Sequence, residues 1–395
     1  MSSRKPVTAA DPAAVVAQIL AEIGDGAAAR DRDRMLPTQQ VRALADSGLC
    51  TWRIPARFGG PDVDLAECFA FIVDLAAADP NVAQAVRSHF GFVEMVRLLD
   101  DPGVQRMWFD RILAGDLIAI ASGETGGPQG RIATRVSRRG SAHLLNGRKF
   151  YSTGGLFADW MAVKAIDDDG ALRVVVVPAD RRGVEMIDDW DGMGQRLTAS
   201  GTTIFSDVAV DDSEFVDAAS EENEQSRVAP FLQLYLAATL TGIARNAVAD
   251  AVDYARERAR PIRHSAATRS VDDPYVQHAV GEIAALTYAC ESATERAAAA
   301  LDRVDRARPA DAETLLPAAG VEVAQAQYVI VDAVLRVTDT LFEVGGASAT
   351  RRTSNLDRHW RNARTLANHN PRAHKAAVIG TYLLTGAAPP TSGYF

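Results

Sequence analysis

The sequence predicts a mainly α-helical chain with a central β domain. Three observations carry that expectation. Apolar residues recur at helical spacing up to about Leu117. From there to about Val210 the texture is alternating, apolar and β-branched, as strands require. Long alanine-rich patterns, low in glycine and proline, fill the rest and suggest a helix bundle. The expected division is an N-terminal helical domain over 1–117, a central β domain over 118–225 and a C-terminal bundle over 226–395.

In the first part, Ala13, Val16, Ile19, Leu20 and Ile23 mark one helix, interrupted by Asp11, Glu22 and Asp25 in a way no signal peptide is. Further helical patterns cover Val41–Leu49, Leu65–Ala78 and Ala83–Leu99, with breaks expected at Asp79-Pro80 and Asp101-Pro102-Gly103. Ile54–Gly60 reads as a loop. In the middle, Arg135–Leu145 alternates. Trp160–Ile166 and Leu172–Pro178 form a hairpin about the turn Asp167–Gly170, and Thr202–Val210 is another strand. An acidic linker, Asp211–Arg227, leads to helices over Phe231–Arg258, Tyr275–Val304, Ala312–Gly345 and Leu356–Asn368.

Composition narrows the function. The chain has 395 residues, 47% apolar and 24% charged, with a formal net charge of −9. Such acidity repels phosphate backbones, so no nucleic-acid partner is expected. No apolar run is expected to be long enough to span a bilayer. Cys50, Cys68 and Cys290 lie far apart, which fits reduced thiols in a cytoplasm and neither a disulfide framework nor a zinc site. The seven histidines form no helical HxxxH pair, so no metal is expected. Walker A, GxSxG and HExxH patterns are absent, and Gly123–Gly130 is not the GxGxxG of a Rossmann unit.

What remains is a set of short polar motifs. Lys149–Gly155 reads either as a strand running into a turn or as a loop whose hydroxyls meet the edge of a planar ligand; the residues alone favour the turn. Leu341–Ala347 reads as a helix end capped by glycine. Asn355–Arg364, rich in arginine and aromatics, is a solvated face, a subunit contact or an anion-binding edge. His89, on an apolar helix, is more often a satisfied core histidine than a catalyst. His369 precedes Asn370-Pro371, where a helix must end; a helix-end histidine is a poised acid or base, or a partner of the helix dipole.

Taken in order, Ile54–Gly60, Lys149–Gly155, Arg196–Val210, Tyr254–Arg258 and Phe342–Arg364 resemble the acyl-CoA dehydrogenase superfamily over nearly the whole chain. That resemblance implies an N-terminal helical domain, a central β barrel, a C-terminal four-helix bundle, flavin between barrel and bundle, and a homotetramer. Gly194–Thr202, Asp272-Asp273-Pro274, Gly147–Gly154, Leu356–Asn370 and Gly386–Pro390 are similar to its flavin-dependent monooxygenase branch, the dibenzothiophene and sulfur-acquisition type. Aligning the Arg-Asp-Ala motif of the dehydrogenases with Arg361-Asn362-Ala363 puts Asn370 where many of them carry a glutamate base, and an amide cannot abstract a proton.

The implied function is a two-component monooxygenase. A separate NAD(P)H:flavin reductase supplies reduced FMN, dioxygen adds at flavin C4a to give a hydroperoxide, and oxygen passes to a sulfone, sulfide or thiophene-type sulfur compound. By the same resemblance His89, Ser152 and His369 are catalytic, with Ser152 near flavin N5. Tyr151, Ser152, Thr153, Arg196, Ser200 and Asn370 bind the cofactor, and FMN is expected over FAD. Ile120 and Gly123 stand where related oxygenases have asparagine and serine. The competing expectations are an acyl-CoA dehydrogenase or oxidase with a relocated base, and a non-catalytic relative.

Overall fold

The computed structural model describes residues 12–127, 131–140, 142–216, 227–261 and 263–390. Met1–Pro6, the end of the glycine-rich segment and most of the acidic linker lie outside the described residues.

Among the described residues seven α-helices come first: α1 (Pro12–Gly24), α2 (Ala27–Asp33), α3 (Thr38–Asp46), α4 (Leu65–Ala78), α5 (Pro80–Ala85), α6 (Arg87–Arg97) and α7 (Pro102–Leu113). The Asp-Pro pairs expected as breaks are helix starts. The Asp79 side chain accepts from the Asn81 N–H, Asp101 does so from Gly103 and Val104, and proline fills the first helical position after each. The helix expected over Ala83–Leu99 is split at Val86, whose φ and ψ of −89° and 0° are not helical. The loop at Ile54–Gly60 contains only one 3-10 turn, Ala56–Phe58.

Seven strands follow: β1 (Ile118–Ala121), β2 (Arg135–Arg139), β3 (Ala142–Lys149), β4 (Trp160–Ile166), β5 (Leu172–Pro178), β6 (Val184–Met186) and β7 (Thr203–Val210). They form one sheet in the order β1-β4-β2-β3-β7-β6, with β5 on β4. The β4–β5 hairpin has the expected bounds and closes at Asp167, whose N–H bonds the Ala171 carbonyl. One face of the sheet encloses its own core, including Val136, Leu145, Val163, Val175 and Phe205. The other packs Ile118, Ala162 and Val176 against Phe92, Trp108 and Phe109 of α6 and α7.

The bundle comprises α8 (Val228–Glu257), α9 (Pro274–Arg306), α10 (Pro309–Thr340), the short α11 (Gly346–Ala349), α12 (Asp357–Ala367) and α13 (Arg372–Thr385). Alanine and glycine let its helices approach closely. A Cβ on Gly242 of α8 would stand 2.5 Å from the Val73 carbonyl of α4, so the N-terminal helices and the bundle share one core. The stretch Pro309–Val344 is long and apolar enough to cross a membrane by composition, which corrects the expectation of no such run. Of its most apolar 18 residues 56% are buried, and it belongs to that core.

Charge also ties the parts together. Arg53, 1% exposed, bonds Glu94 of α6 at 2.6 Å and Asp305 of α9 at 2.7 Å, and Arg97 and Arg227 close on the same two carboxylates.

Candidate functional site

Two groups of polar side chains flank the α5–α6 junction. The first is built where β3 ends. Buried Lys149 bonds Glu124 at 2.7 Å and anchors the glycine-rich segment to the strand end. Tyr151 then turns the chain with φ +60°, is 55% exposed, and stands edge-on to Phe150 and Trp190. Ser152 is buried, and its hydroxyl has no hydrogen-bond partner among the described residues. Gly154 follows with φ +81°; a Cβ there would lie 2.3 Å from the Ala85 carbonyl, so only glycine lets this loop rest on α5.

The loop 194–201 lies over it. Gly154 donates to the Thr198 carbonyl, and Ser152 N–H to that of Gly201. The Thr153, Ser200 and Thr198 hydroxyls form a chain at 2.8 and 2.7 Å, ending with Thr198 Oγ1 on the Gln195 carbonyl at 2.9 Å. Two buried asparagines hold this loop from the helices. Asn362 Oδ1 of α12 accepts from Gln195 N–H at 2.6 Å, and Asn81 Oδ1 of α5 from Leu197 N–H at 3.2 Å. The Gln195 side-chain amide is buried, and neither end is bonded among the described residues.

The second group lies where α12 gives way to α13. Asn370 is buried and donates through Nδ2 to Gln233 Oε1 of α8 at 2.6 Å; Lys375 Nζ reaches the same oxygen at 3.4 Å. His369 Nδ1 faces Asn370 Oδ1 at 3.4 Å. That oxygen can only accept, so Nδ1 carries the hydrogen and Nε2 is left basic. Dense surroundings, with the Arg87 and Lys375 cations, push the His369 pKa down to about 4 although part of the side chain reaches solvent. Arg87, at the start of α6, bonds the Leu232 carbonyl.

The structure thus brings Ser152, Thr153 and Ser200 together beside Tyr151, and His369 beside Asn370. Three of the residues implied by the resemblance are engaged with the protein itself. His89 is 1% exposed, and both ring nitrogens serve the backbone: Nε2 meets the Cys50 carbonyl at 3.0 Å, and Nδ1 accepts from Ile118 N–H at 3.2 Å. It has the environment of a satisfied core histidine, with no nitrogen left for a ligand. Arg196 directs its guanidinium to the Asp31 carbonyl of α2 at 3.1 Å, because α2 passes beside the loop. Asn370 gives its Nδ2 to Gln233 inside the bundle. As for the departures from related oxygenases, Ile120 packs with the apolar α6–α7 cluster, and Gly123 accepts from Phe150 N–H at 2.9 Å.

Sequence reasoning missed Asn81 and Gln233. Thr198, His359 and Asn362 stand in quoted motifs, but nothing along the chain says what their side chains face. His359 is 3% exposed and bonded to Asp250 at 2.9 Å.

Burial lowers the pKa of both His89 and His359 from 6.5 to about 4; nearby Arg358 adds to the shift at His359, and Asp250 opposes it. Between those values the unfolded imidazoles bind protons that the folded ones refuse, so stability must fall as pH drops. The expected loss is up to about 3 kcal/mol per histidine between neutral pH and pH 4. Urea unfolding at pH 7.5 and 5.0 checks this; equal stabilities would show that neither ring is held neutral.

Comparison with known proteins agrees with this architecture. The family model of the acyl-CoA dehydrogenase N-terminal domain matches residues 13–116, and that of the C-terminal domain matches 234–372. Dibenzothiophene monooxygenase from Rhodococcus qingshengii is 29% identical over 96% of this chain and 94% of its own length. The probable FMNH2-dependent monooxygenase SfnC from Pseudomonas putida is 29% identical over 97% of both. Methanesulfinate monooxygenase MsuC from Pseudomonas fluorescens superposes with a TM-score of 0.89 at 28% identity, covering 98% of this chain and all (100%) of its own. FMN-bound TdsC from Paenibacillus sp. A11-2 does so with 0.88 at 26%, covering 96% and 100%. Matched by that family's models at both ends and by its oxygenases along nearly its whole length, the chain belongs to the acyl-CoA dehydrogenase superfamily, in its flavin-dependent monooxygenase branch.

Proposed function

We propose that this protein is a reduced-FMN-dependent, two-component monooxygenase that oxygenates a sulfur compound of the sulfone, sulfide or thiophene type, with a separate NAD(P)H:flavin reductase as its partner. The observation that carries this reading is the amide at 370. Its Nδ2 is bonded to Gln233, and it has no proton-abstracting capacity at the position where many dehydrogenases of the family place a carboxylate. The relatives named for sulfur substrates and for FMN or FMNH2 support the substrate class and the cofactor.

The residues at the end of β3 fit a flavin. A buried hydroxyl without a partner, Ser152, costs free energy until something bonds it. It lies beside exposed Tyr151 and the Thr153 hydroxyl, a combination suited to the edge and face of a planar ring. When bound, reduced FMN supplies activation of dioxygen for transfer of one oxygen atom. Ser152 would bond the ring edge. His369, through its basic Nε2, would orient the oxygen being transferred and handle the accompanying proton. The 194–201 loop would exclude water.

Three buried free cysteines support a reducing, cytoplasmic setting. Exposed Tyr275, Tyr288, Val329, Leu383 and Leu384 on α9, α10 and α13 support a homotetramer.

The test supplies NADH, FMN, a flavin reductase and labelled dioxygen with a panel of sulfides, sulfones, sulfinates and thiophenes. One labelled oxygen atom in a sulfur product is expected. No incorporation, together with reduction of a bound flavin by an acyl-CoA, would establish the dehydrogenase reading.

A further inference from the structure

We infer that Thr198 is a positioning residue that fixes Thr153 as a hydrogen-bond acceptor, and that the site thereby prefers reduced over oxidised flavin. The inference rests on the flavin reading of the site.

The direction of the hydroxyl chain follows from its end. Thr198 Oγ1 lies 2.9 Å from the Gln195 carbonyl, which cannot donate. That carbonyl also accepts from Trp190 Nε1 at 2.8 Å, so the end of the chain is held from two sides. A threonine hydroxyl has one proton, and here the carbonyl takes it. Thr198 must therefore accept from Ser200, 2.7 Å away. The Ser200 proton is committed in turn, so Ser200 must accept from Thr153, 2.8 Å away. Thr153 is left with lone pairs only. Thr198 and Ser200 are buried at 1% and 6% exposure, whereas Thr153 is half-buried and forms the accessible end.

Flavin changes its hydrogen-bonding sense at N5. The oxidised ring presents a bare nitrogen, an acceptor, and the two-electron-reduced ring presents N5–H, a donor. Facing N5, a locked acceptor at Thr153 would bond the donor and repel the bare nitrogen. Ser152, which the resemblance also sets near N5, keeps a rotatable hydroxyl proton and would make no such distinction. A protein that takes up reduced flavin from a reductase and releases the oxidised form is served by this asymmetry.

The worth of one hydrogen bond suggests a preference of about tenfold for reduced FMN. It corresponds to a midpoint potential about 30 mV above that of free FMN for a two-electron couple. Anaerobic titration with reduced FMN, aerobic titration with oxidised FMN, and the potential of the bound cofactor measure it. Thr198→Val keeps the volume and removes the proton that orients the chain. The ratio of affinities is expected to fall towards one and the potential to drop back, while Thr198→Ser restores both. Ser200→Ala cuts the same chain at its middle and is expected to act alike, so the test survives if Thr198→Val fails to fold. A merely structural Thr198 would weaken both redox forms equally and leave the potential unmoved, and that result overturns the inference. Failure of the wild type to bind FMN in either form would overturn the flavin reading itself.

Discussion

Replacing His369 with alanine is expected to lower product formation by about 10²- to 10⁴-fold, the usual range for loss of a group that handles a proton. The fold and the affinity for reduced FMN should persist. His369 stands at the exit of α12, where its backbone N–H bonds the Leu366 carbonyl, and its side chain supports no core packing. Its neutral ring, with Nε2 free, is the form that can accept a proton at neutral pH. Partial burial and the Arg87 and Lys375 cations lower its pKa, so any histidine limb in the activity profile should fall below the ordinary histidine value. Steady-state oxygenation, circular dichroism and reduced-FMN titration together read the variant. Turnover at the wild-type rate would remove His369 from the mechanism.

Arg53→Ala is expected to destabilise the protein by about 3–5 kcal/mol, the loss seen when one partner of a buried ion pair is removed. Arg53 and Glu94 are each 1% exposed. Without Arg53, Glu94 Oε1 loses the donor it meets at 2.6 Å. Arg97 and Arg227 approach only the other oxygen, at 3.7 and 3.6 Å. Asp305 still keeps Arg227 at 2.8 Å, so the damage centres on Glu94. The double variant Arg53→Met with Glu94→Leu removes both charges and should recover most of the loss. Urea unfolding measures both. A loss below about 1 kcal/mol for Arg53→Ala would mean that the pair behaves as an exposed one.

Gly154 shows how the site depends on parts far apart in sequence. Its motif was readable as a turn or as a ligand edge, and the residues alone favoured the turn. The structure contains both features: a left-handed glycine seated on α5, and next to it a buried hydroxyl awaiting a partner. Burial separates the two readings, and burial is supplied by the 194–201 loop and by α5. His89 went the other way. The resemblance made it catalytic, but the Cys50 carbonyl and the Ile118 N–H, brought in by other elements, occupy both nitrogens.

Residue order alone located most of the long helical and extended stretches. Periodicity is a local property, and it located α4, β4 and β5 at their observed bounds. It missed α2, α7, α13, β1 and β6, which are short or lack a strong apolar stripe, so that packing rather than pattern stabilises them. Motifs in order were enough to reach the superfamily and its oxygenase branch. Only the tertiary structure decided which hydroxyl carries an unused bond, which way the Thr153–Ser200–Thr198 chain points, and that Asn362 and Asn81 clamp one loop. A hydrogen bond between residues distant in the chain depends on a short contact distance and direction in space, and neither is encoded in the spacing of residues along a line.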